Sequence, residues 1–261
     1  MRDRRVGRRR GRGAGAVPAR FRRRILTAAS PLERLLIIMV VVALGGIGAG
    51  SLLPNLSPEI GKVSGLNAAS GPAADALAKL TVDDAQNASG YDRDAFGYRE
   101  TDDDGNGCDI REDILARDLK DVRYKAATGP GACQVKSGVL DDPYTGKTIH
   151  FTRGVDTSAA VQIDHVVALE NAWASGARNW DTAKRRRFGN DPYNLLAVDG
   201  PANQEKGSAS AAYWLPTNGS YRCEYVARQI GVKSTYGLTV TTAEKDAMLA
   251  VLHTCPAQQI P

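Results

Sequence analysis

An acid and a histidine, Asp164 and His165, stand side by side at the end of the apolar run 161–163, and Asn194, Asn203 and Lys206 follow downstream. A histidine at a strand end titrates near neutrality and can take a proton from water. Hard divalent cations take oxygen ligands, which Asp164 can supply as a carboxylate and Asn203 as an amide oxygen. Lys206 lies three residues beyond Asn203, about one helical turn, where an ammonium can meet a phosphate. Hydrolysis of a phosphodiester needs such a set: an activated water, a stabiliser for charge on the phosphorus centre, and help for the leaving 3′ oxygen.

Each residue also has a plainer reading. A lone histidine is by default structural. Asn194 follows Asp191-Pro192-Tyr193 and could be a turn residue. Asn203 follows Pro201-Ala202 and could cap a helix. A lysine on a solvated helix face is commonplace. His150 and His253 match no functional position and read as surface or core histidines.

The wider context favours the chemical reading. The stretches YDRDAFG (91–97), GCDIREDIL (107–115), DPYTG (142–146), DHVVALENAW (164–173), NDPYNLLAV (190–198), NQEKG (203–207) and WLP (214–216) occur in that order. This set resembles the strand–strand–helix metal core of the HNH, or His-Me finger, nucleases. More narrowly, it resembles exported HNH proteins related to the C-terminal nuclease domain of GmrSD-type restriction enzymes. The resemblance implies an α+β fold, with a ββα-metal core embedded in a mainly helical single domain with short strands and two disulfides. It implies that His165 is the general base and that Asp164 and Asn203 hold one divalent cation, Mg²⁺ in the first place, with Mn²⁺ or another divalent ion as alternatives. Asn194 would orient the His165 ring or brace the hairpin, and Lys206 would contact the phosphate backbone. Neighbouring residues of a regular strand point to opposite sides, so the chain should bend at Asp164-His165 for both to converge. The sequence departs from the pattern at Tyr98-Arg99, where relatives tend to show Trp, and at Ser208-Ala209-Ser210, where an acid is common. These changes touch substrate contacts and spare the expected ligands. The implied activity is metal-dependent hydrolysis of DNA, or of RNA, outside the cytoplasm. The competing reading is a non-catalytic, membrane-tethered calcium-binding module on the same fold. A retired nuclease would be expected to have lost one of Asp164, His165, Asn203 or Lys206, and all four are present.

Other polar clusters bear on substrate and metal. Lys184 to Arg187 form a basic run between the two expected strands, and Arg185 and Arg186 are candidates to grip phosphate. Arg111, in the CDIR stretch, could reach a phosphate or pair with Asp109, and the pairing is the plainer reading. Trp173 and Trp180 flank the basic run at a spacing suited to core packing. The run DDDGNG at 102–107 resembles the start of an EF-hand calcium loop, with Glu112 or Asp113 near its twelfth position. No helix clearly precedes it, and Cys108 interrupts it, so a polar turn pinned by a disulfide is the better reading.

The bulk charge misleads. Lys plus Arg outnumber Asp plus Glu by 34 to 29, but twelve of the arginines and only two acids fall in residues 1–34. The remainder carries 22 basic residues against 27 acidic ones, so nucleic-acid binding cannot be argued from overall charge. The tail, residues 1–34, reads as disordered and cytoplasmic. Residues 35–53 contain no charge and span roughly 28 Å as a helix at about 1.5 Å per residue, close to the thickness of a bilayer core. With the arginines inside, everything after Pro54 would lie outside. The segment reads as a signal anchor, giving a single-pass membrane protein; a cleaved signal peptide and a secreted protein are the alternative. No protein partner is implied.

All four cysteines, Cys108, Cys133, Cys223 and Cys255, lie on the expected outer side, which suits two disulfides. Sequence leaves three pairings open; the local one, Cys108–Cys133 with Cys223–Cys255, closes loops of modest length and is preferred. No CxxC pair supports a zinc site.

Residues 54–79 read as a linker with a short helix at 73–80, and the nuclease-like domain as 80–261. Within it the patterning predicts a helix over 110–119, strands near 134–140 and 148–152 around a turn at 142–146, and a strand at 161–163. Helices follow at 168–175, closed by Gly176, and at 181–188. A strand at 194–198 leads to a helix after Pro201, and a last helix covers 243–252. There are no internal repeats.

Overall fold

The stretch Leu195–Asp199 forms a strand, β5, that is buried along nearly its whole length. Its alternate residues enter different cores: Leu196 and Val198 face one, Leu195 and Ala197 the other. A strand buried on both faces reads as a continuous apolar run, as LLAV does. Its partner β4, Val161–His165, runs antiparallel in an unbroken register from Val161↔Asp199 to His165↔Leu195. Numbering of all elements follows chain order in this computed structural model, which describes residues 69–98, 101–129 and 131–261. The expectations for residues 1–34, 35–53 and 54–68 lie outside them. Among the described residues no helix is long and apolar enough to cross a membrane.

Helix α5, Gly200–Lys206, starts directly from β5. Asp199 caps it by accepting from the Ala202 N–H at 2.9 Å, and Pro201 sits in the first turn, where it gives up no hydrogen bond. Asn203 is therefore inside the helix and not its cap. Gly200 is required by packing, because a Cβ there would lie 2.0 Å from the Ala159 carbonyl oxygen. β4, β5 and α5 together form the expected strand–strand–helix unit.

The first core is largely helical. Helix α1, Pro72–Lys79, packs on α6, Arg222–Tyr236, and on α7, Thr242–Leu252. Ala73 and Leu77 of α1 are fully buried beside Tyr225, Val226 and Ile230, so the core reaches upstream of residue 80. The second core is made by α2, Ile110–Asp118, and a three-stranded antiparallel sheet in the order β1-β2-β3. Its strands are β1, Lys120–Tyr124, β2, Val135–Asp141, and β3, Thr148–Thr152. The expected turn at 142–146 joins β2 to β3. Asp142 closes it by accepting from the Thr145 N–H at 2.7 Å, and its other oxygen accepts from the Asp199 N–H at 2.9 Å. One carboxylate thus ties the hairpin turn to the junction of β5 and α5.

The third core joins α3, Leu169–Ala174, and α4, Thr182–Gly189, to Phe96. Trp180 packs on Phe188 and Tyr236, and Trp173 meets Tyr91 and Phe96. Both tryptophans are packing residues, as their spacing suggested.

The disulfides are Cys108–Cys133, with Cα atoms 5.4 Å apart, and Cys223–Cys255, at 6.4 Å. This is the local pairing. The molecule described is a small single domain of mixed helix and strand held by two disulfides, in agreement with the sequence reading.

Candidate functional site

β4 delivers Asp164 and His165 at its end, where the strand stays regular. The expected bend does not fall between them: pairing with β5 continues past His165 through the Val166 N–H to the Asn194 carbonyl at 2.8 Å, and the chain bends just beyond, at Val166 and Val167. The two side chains instead find different partners, and both residues still line one small cleft of about 170 Å³ with Arg93 and Asn203.

His165 is only 7% exposed. Its Nε2 lies 2.8 Å from the Gly189 carbonyl oxygen at the end of α4. A carbonyl only accepts, so Nε2 carries the proton and Nδ1 of the neutral ring keeps its lone pair. Burial is the chief reason the imidazole pKa falls to about 4; the Gly189 carbonyl opposes this, and the Arg93 and Lys206 cations add to it. The ring is neutral at pH 7. Tyr98 meets it edge-on, with centroids 5.6 Å apart.

Asp164 is 5% exposed. Its Oδ1 accepts from Lys206 Nζ at 2.9 Å, and its Oδ2 from the Tyr144 hydroxyl at 2.5 Å. Burial pushes the carboxyl pKa up, while Lys206 and Tyr144 pull against it. Lys206 is 1% exposed and also donates to the His165 carbonyl at 2.9 Å. The expected contact between Lys206 and a phosphate is therefore corrected. Its helix face turns into the protein, because the buried Asp164 needs a counter-charge more than the surface needs a cation.

Asn194 is fully buried and grips one residue. Its Oδ1 accepts from the Val167 N–H at 2.8 Å, and its Nδ2 donates to the Val167 carbonyl at 3.2 Å. Of its two expected roles this is the brace. Ring orientation falls to Gly189, whose backbone does the work.

Asn203 is half-buried, and its Nδ2 donates to Gln162 Oε1 at 2.9 Å, which leaves the amide oxygen as its acceptor end. Among the described residues no group of three or more His, Cys, Asp or Glu could hold a metal. The donor set in the cleft is a carboxylate and an amide oxygen, both hard, and each Asp164 oxygen keeps a second lone pair beside its one hydrogen bond. In donor type these residues fit a divalent cation completed by water. Lys206 competes with it, since its ammonium already neutralises Asp164.

The basic run does not face this cleft. Arg185 Nη1 donates to the Trp180 carbonyl at 2.6 Å and lies over the Trp173 ring. Arg186 forms an ion pair with Asp103 at 2.5 Å. Lys184 donates to the Tyr236 carbonyl at 3.0 Å. The expected phosphate grip by Arg185 and Arg186 is thus corrected: α4 uses these cations to fasten its own surroundings.

Arg111 does not pair with Asp109, whose carboxylate instead caps α2 by accepting from the Glu112 N–H at 3.0 Å. Arg111 lines a second cleft of about 510 Å³ that His165 and Asn203 also line. The 102–107 run is a polar turn. Asp102 accepts from the N–H groups of Asn106 and Gly107 at 3.0 and 2.9 Å, and Asn106 donates to Asp104 and Asp113. Both His150 and His253 are exposed and lie outside the clefts.

Three contributors escaped the sequence. Arg93 lines the cleft and holds Tyr98, its Nε donating to the hydroxyl at 2.6 Å. Tyr144 braces Asp164. Both lie in stretches that carried the resemblance, YDRDAFG and DPYTG, without a role being assigned. Gly189 acts through a carbonyl that any residue carries, so no side-chain signal marks it.

An uncharacterized secreted protein of Arthroderma benhamiae is 41% identical over 181 residues, covering 69% of this chain and 82% of that protein. No solved structure matches. The family described as GmrSD restriction endonucleases, C-terminal domain, matches residues 109–251, a span that takes in α2 at one end, most of α7 at the other, and Asp164, His165, Asn194, Asn203 and Lys206 between them. With more than half its length inside that match, and every residue lining the smaller cleft except Arg93 within it, the chain belongs to the family of GmrSD restriction endonuclease C-terminal domains.

Proposed function

We propose that the protein is an HNH-type endonuclease that hydrolyses phosphodiester bonds of DNA with His165 as the general base. The observation that carries this is the His165 ring, neutral and held by the Gly189 carbonyl with Nδ1 free to take a proton from water. Asp164 and Asn203 would hold a divalent cation, Mg²⁺ first. When bound, the cation supplies charge neutralisation at the phosphate and the leaving oxygen. Arg93, which lines the same cleft, would offer its guanidinium to a phosphate oxygen. Lys206 and Tyr144 fix the Asp164 carboxylate, and Asn194 fixes the backbone that follows His165. The relative named as secreted, the two disulfides and the apolar segment at 35–53 support action outside the cytoplasm, either tethered by that segment or released.

Plasmid nicking by the full chain with Mg²⁺ or Mn²⁺ tests the proposal. His165→Ala is expected to lower the rate by at least about 10²-fold, the lower end of what a positioned base supplies. Folded protein that cleaves neither DNA nor RNA with any divalent cation would sink it.

A further inference from the structure

The 170 Å³ cleft opens beside the one of 510 Å³, and they share Arg93, Gln162, Ile163, His165 and Asn203. The imidazole therefore stands where a small chamber meets a larger one. Of the charges lining the larger chamber, Glu112 is paired with Arg153, which also donates to the Val135 carbonyl, and Asp109 is held by its cap. Arg111 forms no ion pair among the described residues, although the Glu112 and Asp109 carboxylates lie close enough to favour its charge. Its guanidinium is half-buried and makes one long hydrogen bond, from Nη2 to the Val161 carbonyl at 3.3 Å. Burial first, and the neighbouring Arg153 cation second, work against its charged form, while Glu112 and Asp109 oppose them in part. With one long hydrogen bond on five N–H donors, this guanidinium keeps donors that an arriving phosphate can engage.

The shape says what brings the anion. Asp164 and His165 are recessed, 5% and 7% exposed. A rigid duplex carries its phosphates on the outside of a wide cylinder and cannot both present one to a recessed base and fill the chamber next to it. An unpaired strand can do both. The chamber volume falls within the roughly 300–1,000 Å³ of small-ligand sites, and so suits one nucleotide. Gln134 and Gln162 line it with amides able to meet a base edge, and Ile110, Ile163 and Leu195 add apolar surface.

We propose that the larger cleft is a subsite for one unpaired nucleotide next to the scissile phosphate, with Arg111 binding that nucleotide's phosphate, so that single-stranded DNA is the favoured substrate. This rests on the nuclease reading of the adjoining cleft and extends it to a substrate class.

The test is equilibrium binding by the full chain in EDTA, which withholds the cation and so stops cleavage. The probes are a fluorescent single-stranded oligodeoxynucleotide of about a dozen residues, the same sequence as a duplex, and the corresponding RNA strand, read by anisotropy across a salt series. The single DNA strand is expected to bind at least about tenfold more tightly than the duplex. Arg111→Gln should weaken single-strand binding by about tenfold or more, and flatten the logarithmic salt slope by roughly 0.7, the value for one phosphate contact on a single strand. Arg111→Lys should restore part of the affinity, which a merely misfolded variant would not. Equal binding of strand and duplex, no effect of Arg111→Gln, or a preference for RNA over DNA overturns the proposal. Cleavage assays separate the two readings. If Arg111-dependent strand binding holds while nothing is cleaved, the nuclease reading fails and the subsite stands. Should strand and duplex be cut equally and independently of Arg111, the subsite fails and the nuclease reading stands.

Discussion

Lys206 illustrates how a side chain's direction decides its role. Three residues beyond Asn203 it reads as an exposed cation, and its type is right for phosphate; nothing in the sequence says which way that face of α5 points. Buried against Asp164, it makes a stability prediction that a phosphate contact would not. Lys206→Met leaves the Asp164 carboxylate buried with only the Tyr144 hydroxyl, and should cost about 3–5 kcal/mol in a urea or thermal unfolding measurement. A lysine serving only phosphate would leave stability within about 0.5 kcal/mol. Tyr144→Phe, removing one hydrogen bond to a charged group, should cost about 1.5–3 kcal/mol by the same measurement. That Asp164, His165 and Asn203 share one cleft was legible because their donor and acceptor chemistry is in their side chains. Gly189 was not, since its contribution is a carbonyl oxygen.

At the level of elements, β4, β5 and α5 were legible because each has a local signal: an apolar run, a doubly buried run, a proline in a first helical turn. Helix α6 was missed although it is 15 residues long. Its buried residues run almost unbroken from Tyr225 to Lys233 and include the polar Gln229 and Lys233, so its sequence shows no clean apolar stripe from which a helical period could be read. Strand β1 was missed for the opposite reason: KDVRY is an exposed edge with no alternation, broken by Asp121 at φ 51°. The contact between α4 and the segment at 91–98 is where element packing reaches the chemistry. A Cβ at Gly189 would lie 2.8 Å from the Phe96 carbonyl oxygen, so Gly189→Ala must push α4 and that segment apart. The carbonyl holding His165 moves with it. Nicking activity should fall by about tenfold or more while the melting temperature drops only a few degrees, and an unchanged rate would separate the ring's position from that carbonyl.

For the molecule as a whole, the two crosslinks act in different places. Cys223–Cys255 ties the first turn of α6 to the residues after α7, within the first core; Cys108–Cys133 ties the entry of α2 to the entry of β2, beside Arg111. Each is expected to contribute roughly 2–4 kcal/mol, mainly by restricting the unfolded chain. Serine replacement of both cysteines of either pair should lower the melting temperature. Only loss of Cys108–Cys133 should also raise KM for a single strand, a split that kinetics on the two variants would read. The pairing was legible from loop length, while its relation to the cleft depended on which loops the fold brings together.

The double burial of β5 also has a consequence in time. A strand shared by two cores can open only when both open, so the backbone amides of β4 and β5 should be among the slowest in the protein to exchange with deuterated water. His165 and Asp164 are thus carried on the last part of the molecule to breathe. Arg93, on a surface segment joined to them by side-chain and carbonyl contacts, can exchange on a faster clock. Deuterium uptake should rank these two regions in that order, with Asp164 and His165 as the fixed reference against which the arginine side of the cleft adjusts to whatever enters it.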